Sequence, residues 1–226
     1  FQKEKYYNVH LDCNGLEAVK EKIFSQSGAE RIKAACHGAS AVIEKVMKTE
    51  KSVQPPKLYD LTTLQRESNR YYGYTAKETL DFTQGLYEKK LVTYPRTDSQ
   101  YLTEDMGQTA ERVIRIVCEI FGFSSVYPED ADVKRVMDNR KVSDHHAIIP
   151  TAGLEAALLP ELSKGENDIL RLVAARLLCA TAEKHIFMET EVTVSCAGEH
   201  FTAKGKMVQE YGWKAVEAAF RQIQGM

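Results

Sequence analysis

Two adjacent prolines, Pro55 and Pro56, constrain the fold of this 226-residue chain more than any other feature. Proline lacks a backbone N–H and fixes its φ angle, so a pair of prolines continues neither a helix nor a central strand. The pair follows a polar, charged stretch over residues 48–54, a composition typical of a connection between domains. We therefore predict a domain boundary here, and the residues on its two sides show different patterns.

The residues after the prolines predict helices. A helical pattern covers residues 60–72, with Thr62 or Thr63 as its cap. It stops at Gly73, a residue suited to the left-handed conformation that ends many helices. A second helix should follow within a few residues, because the next segment carries its own start signal.

That start signal is a capping box formed by Thr75 and Glu78, which have the required three-residue spacing. The helix it opens should continue to about residue 89. Helix, short glycine turn and helix together form the outline of a helix-turn-helix unit. A further helix is predicted from residue 103 to Gly122, and another over residues 169–184.

Both ends of the chain show strand patterns instead. Residues 5–12 alternate weakly between apolar and polar side chains, and antiparallel strands are predicted at the other end. Those strands cover residues 189–196, 199–208 and 212–216. Neither end has enough apolar residues for its own core, so we expect the two ends to pair with each other. The fold class is therefore α+β, with a helical, helix-turn-helix-like domain inserted into a β-rich domain.

The predicted domain boundaries follow from this insertion. The first half of the β-rich domain is assigned to residues 1–55, and its second half to residues 154–226. Residues 56–153 form the helical domain between them. Because the chain begins with Phe1 rather than methionine, we expect this N-terminus to be a cut in a longer protein.

Composition excludes several classes of protein. There is no apolar run of about 18 residues, so no membrane partner is expected. The five cysteines are widely spaced and form no Cys-x-x-Cys pair, which favours a reducing compartment over a zinc or disulfide framework. Asp130 and Asp132 resemble a metal-binding pair but follow no strand, so a solvated acidic loop is expected. The net charge of −2 argues against extensive nucleic-acid binding but leaves room for a local basic strip.

A short apolar run, Leu91 to Thr93, is followed by Tyr94, and a proline follows the tyrosine directly. The run favours a strand and the proline ends it, so the tyrosine should be displayed at the strand end. Arg96 has the same-side spacing of an extended segment. A phenol is mostly neutral at pH 7, and a guanidinium stabilises both a phenolate and phosphate oxygens. This pattern suits a tyrosine nucleophile that attacks a phosphodiester; the alternative is a half-buried packing tyrosine at a turn.

Other polar residues could support such chemistry. Gln84 and Glu88 are four residues apart and share a helix face just before the tyrosine, where Glu88 could reach the phenol or position the arginine. Arg66 and Arg70 also share a helix face and are candidate phosphate partners. One histidine of the pair at residues 145–146 could contact a phosphate or act as a general acid. Each could instead be an ordinary solvated or packed side chain.

Three ordered blocks give the chain a resemblance to the type IA DNA topoisomerases, in their topoisomerase III-like branch. Their sequences are PPKLYDLTTLQRE at residues 55–67, TYPRTDS at residues 93–99 and DHHAIIPT at residues 144–151. They are similar to the family's entry into its tyrosine domain, its nucleophile motif and its histidine motif. The segment GWKAV at residues 212–216 also suits the family's return into its arch domain.

The resemblance implies a site and a reaction. Tyr94 would attack a phosphodiester of single-stranded DNA and retain the 5′-phosphate, without ATP. Arg96 would hold the scissile phosphate, His145 matches the functional histidine, and Glu88 matches a supporting catalytic position. The DNA-binding residues would be Gln84, Arg66, Arg70, Thr97 and Asp98. The β-rich domain would be the arch that lets the tyrosine domain swing away.

The same resemblance implies what the chain lacks. Family enzymes bind Mg²⁺ in a Toprim domain, and nothing like that domain precedes Phe1. We therefore expect no metal site and no cofactor in this chain, which should be inactive alone. No small-molecule substrate is expected, and the parent enzyme should be cytoplasmic and associated with the nucleoid.

Two alternatives remain at this point. A tyrosine recombinase or type IB-like strand transferase also combines arginine, histidine and tyrosine. It places its tyrosine after the histidine and forms a 3′ link, whereas Tyr94 precedes His145 here. The second alternative is a non-catalytic helix-turn-helix module, which would bind duplex DNA regardless of Tyr94.

Overall fold

A computed structural model describes residues 4–127 and 131–225 of the chain. It contains both helices and a sheet, which confirms the predicted α+β class. The chain divides into two compact units, which we call the sheet unit and the helical unit. The sheet unit comprises residues 1–52 and 186–210, and the helical unit comprises residues 53–185 and 211–226.

The sheet unit is built from both ends of the chain. Its strands are β1 (Tyr7–Cys13), β2 (Leu16–Ile23), β3 (Ala41–Val53), β4 (His185–Cys196) and β5 (Glu199–Glu210). Their order in the sheet is β1-β2-β5-β4-β3. Early and late strands therefore lie side by side, with Val19 of β2 opposite Thr202 of β5. This confirms the prediction that the two ends pair with each other.

One helix covers one face of this sheet. Helix α1 (Gln26–Cys36) buries Ile32 and Cys36 against sheet residues such as Val194 and Phe201. Strand β3, by contrast, is exposed at every one of its 13 residues. The β-branched side chains of Val42, Ile43 and Val46 suit the strand that the structure shows.

The helical unit contains the larger core. Its helices are α2 (Leu61–Tyr72), α3 (Ala76–Glu88), α4 (Gly107–Phe121), α5 (Lys164–Thr181) and α6 (Trp213–Ile223). Short 3₁₀ turns at Glu104–Met106, Val133–Val136, Asn139–Lys141 and Ala156–Glu161 connect them. Helix α5 is the central element, because it packs against each of the other four helices. Each large aliphatic side chain that it buries stabilises the fold by about 1.5–3 kcal/mol.

Local signals in the sequence set the helix ends. Gly73 ends α2 with a left-handed φ of 75°, as predicted. Thr75 and Glu78 form both hydrogen bonds of the predicted capping box at the start of α3. The predicted cap of α2, Thr62 or Thr63, is wrong. Asp60 is the cap, and its carboxylate accepts the Thr63 N–H at 2.6 Å. Aspartate accepts this bond as an anion, which also favours the positive end of the helix.

Three predictions about the C-terminal third differ from the structure. Helix α5 begins at Lys164, five residues before the predicted start, because Ser163 and Glu166 form a second capping box. The segment GWKAV at residues 212–216 begins helix α6 instead of a strand. Its Val216 and Phe220 are buried in the helical core, so a helical repeat prevails over strand propensity. The sheet unit resumes after residue 185, whereas the second half of the β-rich domain was predicted to begin at residue 154.

Candidate active site

The tyrosine lies on an extended segment that runs beside the histidine motif. We call residues 91–101 the nucleophile segment and residues 145–151 the histidine segment. The nucleophile segment is not the regular strand that was predicted, because it forms only isolated bridges, such as Val92 with Pro150. Backbone hydrogen bonds join Thr93 N to Ile149 O (3.0 Å), Thr151 N to Leu91 O (3.0 Å) and Ala147 N to Tyr101 O (2.9 Å).

Two threonine side chains lock the segments together. The Thr93 hydroxyl donates to Ala147 O at 2.9 Å and accepts the Ile149 N–H at 3.0 Å. The Thr97 hydroxyl donates to His145 O at 2.9 Å. These hydroxyls form hydrogen bonds with backbone groups that have no strand partner. A buried backbone group without a hydrogen bond would cost free energy of folding. The sequence did not single out Thr93, and Thr97 was predicted as a DNA-binding residue rather than a brace.

Burial alternates along the nucleophile segment and decides which side chains are displayed. Pro95, Thr97 and Ser99 are buried. Tyr94 is partly exposed, while Arg96 and Asp98 are exposed. An extended backbone points successive side chains to opposite sides. Burial of Pro95, Thr97 and Ser99 therefore determines that Tyr94, Arg96 and Asp98 face the other side. This agrees with the expectation that Tyr94 and Arg96 share a side.

Tyr94 is flanked by two other rings. Its ring centroid lies 4.3 Å from that of His145, with the planes tilted by 44°. On another side the edge of Tyr87 packs against it, at 5.4 Å between centroids. The Tyr94 hydroxyl makes no hydrogen bond with any residue of the described ranges, so it is free to meet an incoming group. The histidine that the resemblance indicated is therefore the one that touches the tyrosine.

Tyr94 also faces an open groove of about 500 Å³. The groove is lined by Tyr87, Glu88, Lys90, Val92, Thr93, Tyr94, His146 and Thr151. Glu88 is thus on the tyrosine's side of the helix, and its Oε1 accepts a hydrogen bond from Gln84 Nε2 at 3.1 Å. The structure therefore brings together Tyr94, His145, Glu88 and Gln84 from the predicted set.

The predicted arginines and Asp98 lie outside this cluster of contacts. Arg96 and Asp98 form no ion pair with any other residue in the described part of the chain. Arg66 contacts Thr63 Oγ1 at 3.4 Å, and Arg70 lies 5.8 Å from the ring of Tyr71. Both arginines are exposed on α2, and neither contacts Tyr94.

A buried polar network supports the histidine segment from behind. Tyr59 O accepts the Ile148 N–H at 2.8 Å, and Tyr59 itself is almost completely buried. Its hydroxyl donates to Glu67, and Arg176 pairs with Glu67 and stacks 4.2 Å above the Tyr59 ring. Burial raises the pKa of Tyr59 well above its ordinary value. Sequence reasoning missed this network, because Arg176 lies 117 residues from Tyr59.

The described residues contain neither a metal-ligand cluster nor a helix that could span a membrane. Residues 4–127 and 131–225 contain no group of three or more His, Cys, Asp or Glu side chains placed to hold a metal ion. Asp132 pairs with Arg135 at 3.1 Å, whereas Asp130 of the predicted acidic loop lies outside the described residues. Within the same ranges, no helix combines the length and the apolar character that crossing a membrane requires.

Comparison with known sequences identifies relatives along nearly the whole chain. The family described as DNA topoisomerase matches residues 1–224. DNA topoisomerase 3 of Bacillus subtilis is 37% identical over 229 residues, which cover 96% of this chain. DNA topoisomerase 3 of Bacillus licheniformis is 41% identical over 237 residues, again 96% of this chain. In both cases the match covers 31% of the relative, so the chain spans about a third of their length.

A solved structure shows the same fold. Full-length topoisomerase I from Thermotoga maritima superimposes with a TM-score of 0.65 at 21% identity, over 98% of this chain and 36% of that one. The fold, the ordered motifs and the family match agree with one another. The chain therefore belongs to the DNA topoisomerase family, in its type IA class, and corresponds to one part of such an enzyme.

Proposed function

We propose that this chain supplies the nucleophile with which a type IA topoisomerase opens one DNA strand. The Tyr94 oxygen attacks the phosphorus of a phosphodiester in single-stranded DNA. A tyrosine–phosphate bond forms to the 5′ side, and the bond to the 3′ oxygen breaks. The phenol loses its proton and the leaving 3′ oxygen gains one. Attack by that hydroxyl reverses the step and rejoins the strand, so relaxation or decatenation needs no ATP.

One observation carries this proposal: Tyr94 is displayed in ring contact with His145 on a segment whose backbone is locked in place. A nucleophile must be held close to its target before it reacts, and this holding can supply much of the rate enhancement. A tyrosine whose only role was packing would need neither an unbonded hydroxyl nor an adjacent groove. The arrangement favours a positioned nucleophile over a structural side chain.

The neighbouring residues would divide the remaining work. Arg96 is exposed and unpaired within the described ranges, so its guanidinium can hold the scissile phosphate and the charge that develops there. His145 can donate to a phosphate oxygen beside the phenol. Glu88, held by Gln84, is the candidate for accepting or returning a proton within the groove.

The DNA partner should be single-stranded. A strand laid across the site would leave Tyr94 and His145 facing one phosphate, with the exposed Asp98 beside the strand and the buried Thr97 holding the backbone beneath it. Arg66 and Arg70 offer further exposed positive charge on α2 for neighbouring phosphates. This local strip would coexist with the overall charge of −2.

The family implies Mg²⁺, and the described residues do not fit that ion, since they contain no suitable cluster of ligands. We propose that the ion is held by another part of the full-length protein, a Toprim domain. The sheet unit would then belong to the arch of that enzyme, which would act in the cytoplasm on nucleoid DNA. A Mg²⁺-dependent covalent adduct formed by the 226-residue chain alone would contradict this division of labour.

The test is Tyr94→Phe in the full-length protein, assayed with a single-stranded oligonucleotide labelled at either end. We expect loss of the covalent adduct by at least about 10³-fold with binding retained, because the variant removes only the attacking oxygen. In the unsubstituted protein the adduct should be on the 5′ end of the cleaved strand. An adduct on the 3′ end, or cleavage that survives the substitution, would refute the proposal.

A further inference from the structure

Helix α3 ends at an unusual residue, immediately before the nucleophile segment. Lys90 follows the helix in the left-handed conformation, with a φ of 61°. Glycine is the residue that usually occupies this position, since it has no Cβ to clash. The chain itself follows that rule at α2 and α4, which end at Gly73 and Gly122. The hydrogen bonds of this end join Lys90 N to Tyr87 O (2.8 Å) and Leu91 N to Leu86 O (2.9 Å).

The surrounding structure imposes the strained backbone of Lys90. Thr151, in the histidine segment, donates its hydroxyl to the Lys90 carbonyl. The left-handed conformation disfavours any residue with a Cβ, and Asn14, Lys22 and Ala197 also adopt it in this chain, so the strain alone assigns no task to a side chain. A glycine would satisfy the same hydrogen bonds without strain. The case for a role of Lys90 therefore rests on where its side chain lies.

That side chain contributes to the lining of the groove beside Tyr94. Lys90 Nζ forms no ion pair with any residue of 4–127 or 131–225, whereas its neighbour Lys89 pairs with Glu166. An unpaired ammonium beside a reactive tyrosine is a ready partner for an anion.

The other polar groups of the groove are less suited to an anion. His146 Nδ1 lies 2.9 Å from Ala147 O, which can only accept, so this nitrogen carries the proton. Glu88 is negative and accepts from Gln84. Among the residues that line the groove, Lys90 is the one lysine or arginine, so it supplies a permanent positive charge there.

We propose that Lys90 and the adjoining groove wall form a subsite for a DNA phosphodiester next to the one that Tyr94 attacks. The ammonium offers three donors as a point charge, a common way of binding phosphate. The subsite rests on the proposed function, because it would hold the strand in register with the tyrosine. It would act by binding and positioning, while the chemistry stays with Tyr94.

The experiment separates binding from stability. Lys90→Gly removes the charge and relieves the backbone strain, Lys90→Asn removes the charge while tolerating the left-handed conformation, and Lys90→Arg keeps the charge. Lys134→Asn is the matched control, since Lys134 is an exposed lysine outside the groove. Affinity for a single-stranded oligonucleotide is measured at several salt concentrations in the full-length Tyr94→Phe protein, which binds without cleaving. Thermal unfolding is measured on the 226-residue chain.

We expect Lys90→Gly to raise the unfolding midpoint by about 2–4 °C. The same variant and Lys90→Asn should bind about tenfold more weakly at low salt. Their plots of log affinity against log salt should be shallower by about 0.7, the value for one lost phosphate contact on a single strand. Lys90→Arg and Lys134→Asn should keep both the affinity and the slope.

Unchanged affinity and slope in both Lys90→Gly and Lys90→Asn would overturn the subsite. Weakened binding in Lys134→Asn of the same size would also overturn it, because the effect would then be general charge. Neither result touches the proposed function, which fails only if Tyr94→Phe still cleaves or if the adduct is on the 3′ end.

Discussion

The helical unit and the sheet unit differ in how much of their polar chemistry is buried. In the helical unit, phenol, thiol, hydroxyl and guanidinium groups of Tyr59, Tyr127, Cys179, Thr97 and Arg176 lie inside or at the edge of the core. The sheet unit buries a smaller apolar cluster under α1, and its ion pairs, such as Lys20 with Glu199, lie near the surface. Its strand β3 is wholly exposed.

This difference explains where the site is placed. A reactive side chain needs a backbone that does not shift, and buried hydrogen bonds supply one because breaking them exposes unsatisfied groups. Tyr94 is carried by such a backbone, with Thr93 and Thr97 bonded to the histidine segment. Side chains on β3 have no comparable restraint.

Removing a core side chain should separate the units most clearly. Leu91→Ala in the helical unit should lower the free energy of unfolding by about 3–4 kcal/mol, because it leaves a cavity under the nucleophile segment. Val46→Ala on β3 should change it by less than about 0.5 kcal/mol. Urea denaturation of the chain, followed by the fluorescence of Trp213 and by circular dichroism, measures both. Equal losses for the two variants would contradict the contrast.

The next prediction concerns the hydrogen bond from the Thr97 hydroxyl to His145 O rather than a core side chain. Thr97→Val should lower the free energy of unfolding by about 2–3 kcal/mol, because His145 O loses its donor and the Ser99 N–H loses its acceptor. Thr49→Val on exposed β3 serves as the matched control and should be close to neutral. In the full-length protein, the Thr97 variant should also cleave more slowly, since His145 would no longer be held against Tyr94. Normal cleavage with lowered stability would show that the brace serves only the fold.

Alkaline pH should weaken the helical unit through its buried phenols. Burial raises the pKa of Tyr127 to about 12, against an ordinary value of 10.0. The raised folded-state pKa means that stability is complete below pH 10 and is lost as the pH rises toward 12, by about 2 kcal/mol from this group. Tyr127→Phe lacks this titration, so its unfolding free energy should fall less steeply between pH 10 and 12. Parallel profiles for the two proteins would refute the assignment to Tyr127.

Acid should affect the sheet unit through its surface ion pairs, and only slightly. The Lys20 ammonium lowers the pKa of Glu199, so this pair contributes stability above the ordinary glutamate range that is lost as the pH falls through the lowered pKa. Lys20→Met should move the acid unfolding transition a little toward higher pH, as seen by hydrogen exchange of β2 and β5. Exposed pairs are screened by salt, so the shift should shrink in high salt. An unaltered transition at low salt would show that the pair is inert.

Local signals were predictable from the sequence, and the start of α5 shows that they could have been used further. Gly73 and the Thr75–Glu78 box set helix ends as expected. Ser163 and Glu166 have the same three-residue spacing and form the capping box that starts α5. Strand propensity favours a strand at Trp213 and Val216, but their spacing with Phe220 suits one face of a helix. In both cases periodicity and capping outweigh the preferences of single residues.

Long-range contacts were not predictable in the same way. The hydroxyl of Thr97 meets a carbonyl 48 residues away, and Arg176 reaches across 117 residues to Tyr59. No local pattern encodes such pairs, because they depend on how whole elements pack. The motif resemblance indicated which residues belong to the site. The contact between Tyr94 and His145 emerged only from the folded chain.

The strand order also has a consequence for synthesis of the chain on the ribosome. Strand β3 has β4 as its neighbour in the sheet, and β4 follows α5 in the sequence. While the intervening helices emerge, the 13-residue β3 therefore waits with its backbone hydrogen-bonding groups unpaired, and the side chains of Val42, Ile43 and Val46 stay exposed as they are in the folded chain. An unpaired apolar strand invites pairing with a neighbouring chain. A shortened chain that stops after α5 would keep this strand open permanently, so its expression should yield aggregates that the chain continued through β5 avoids.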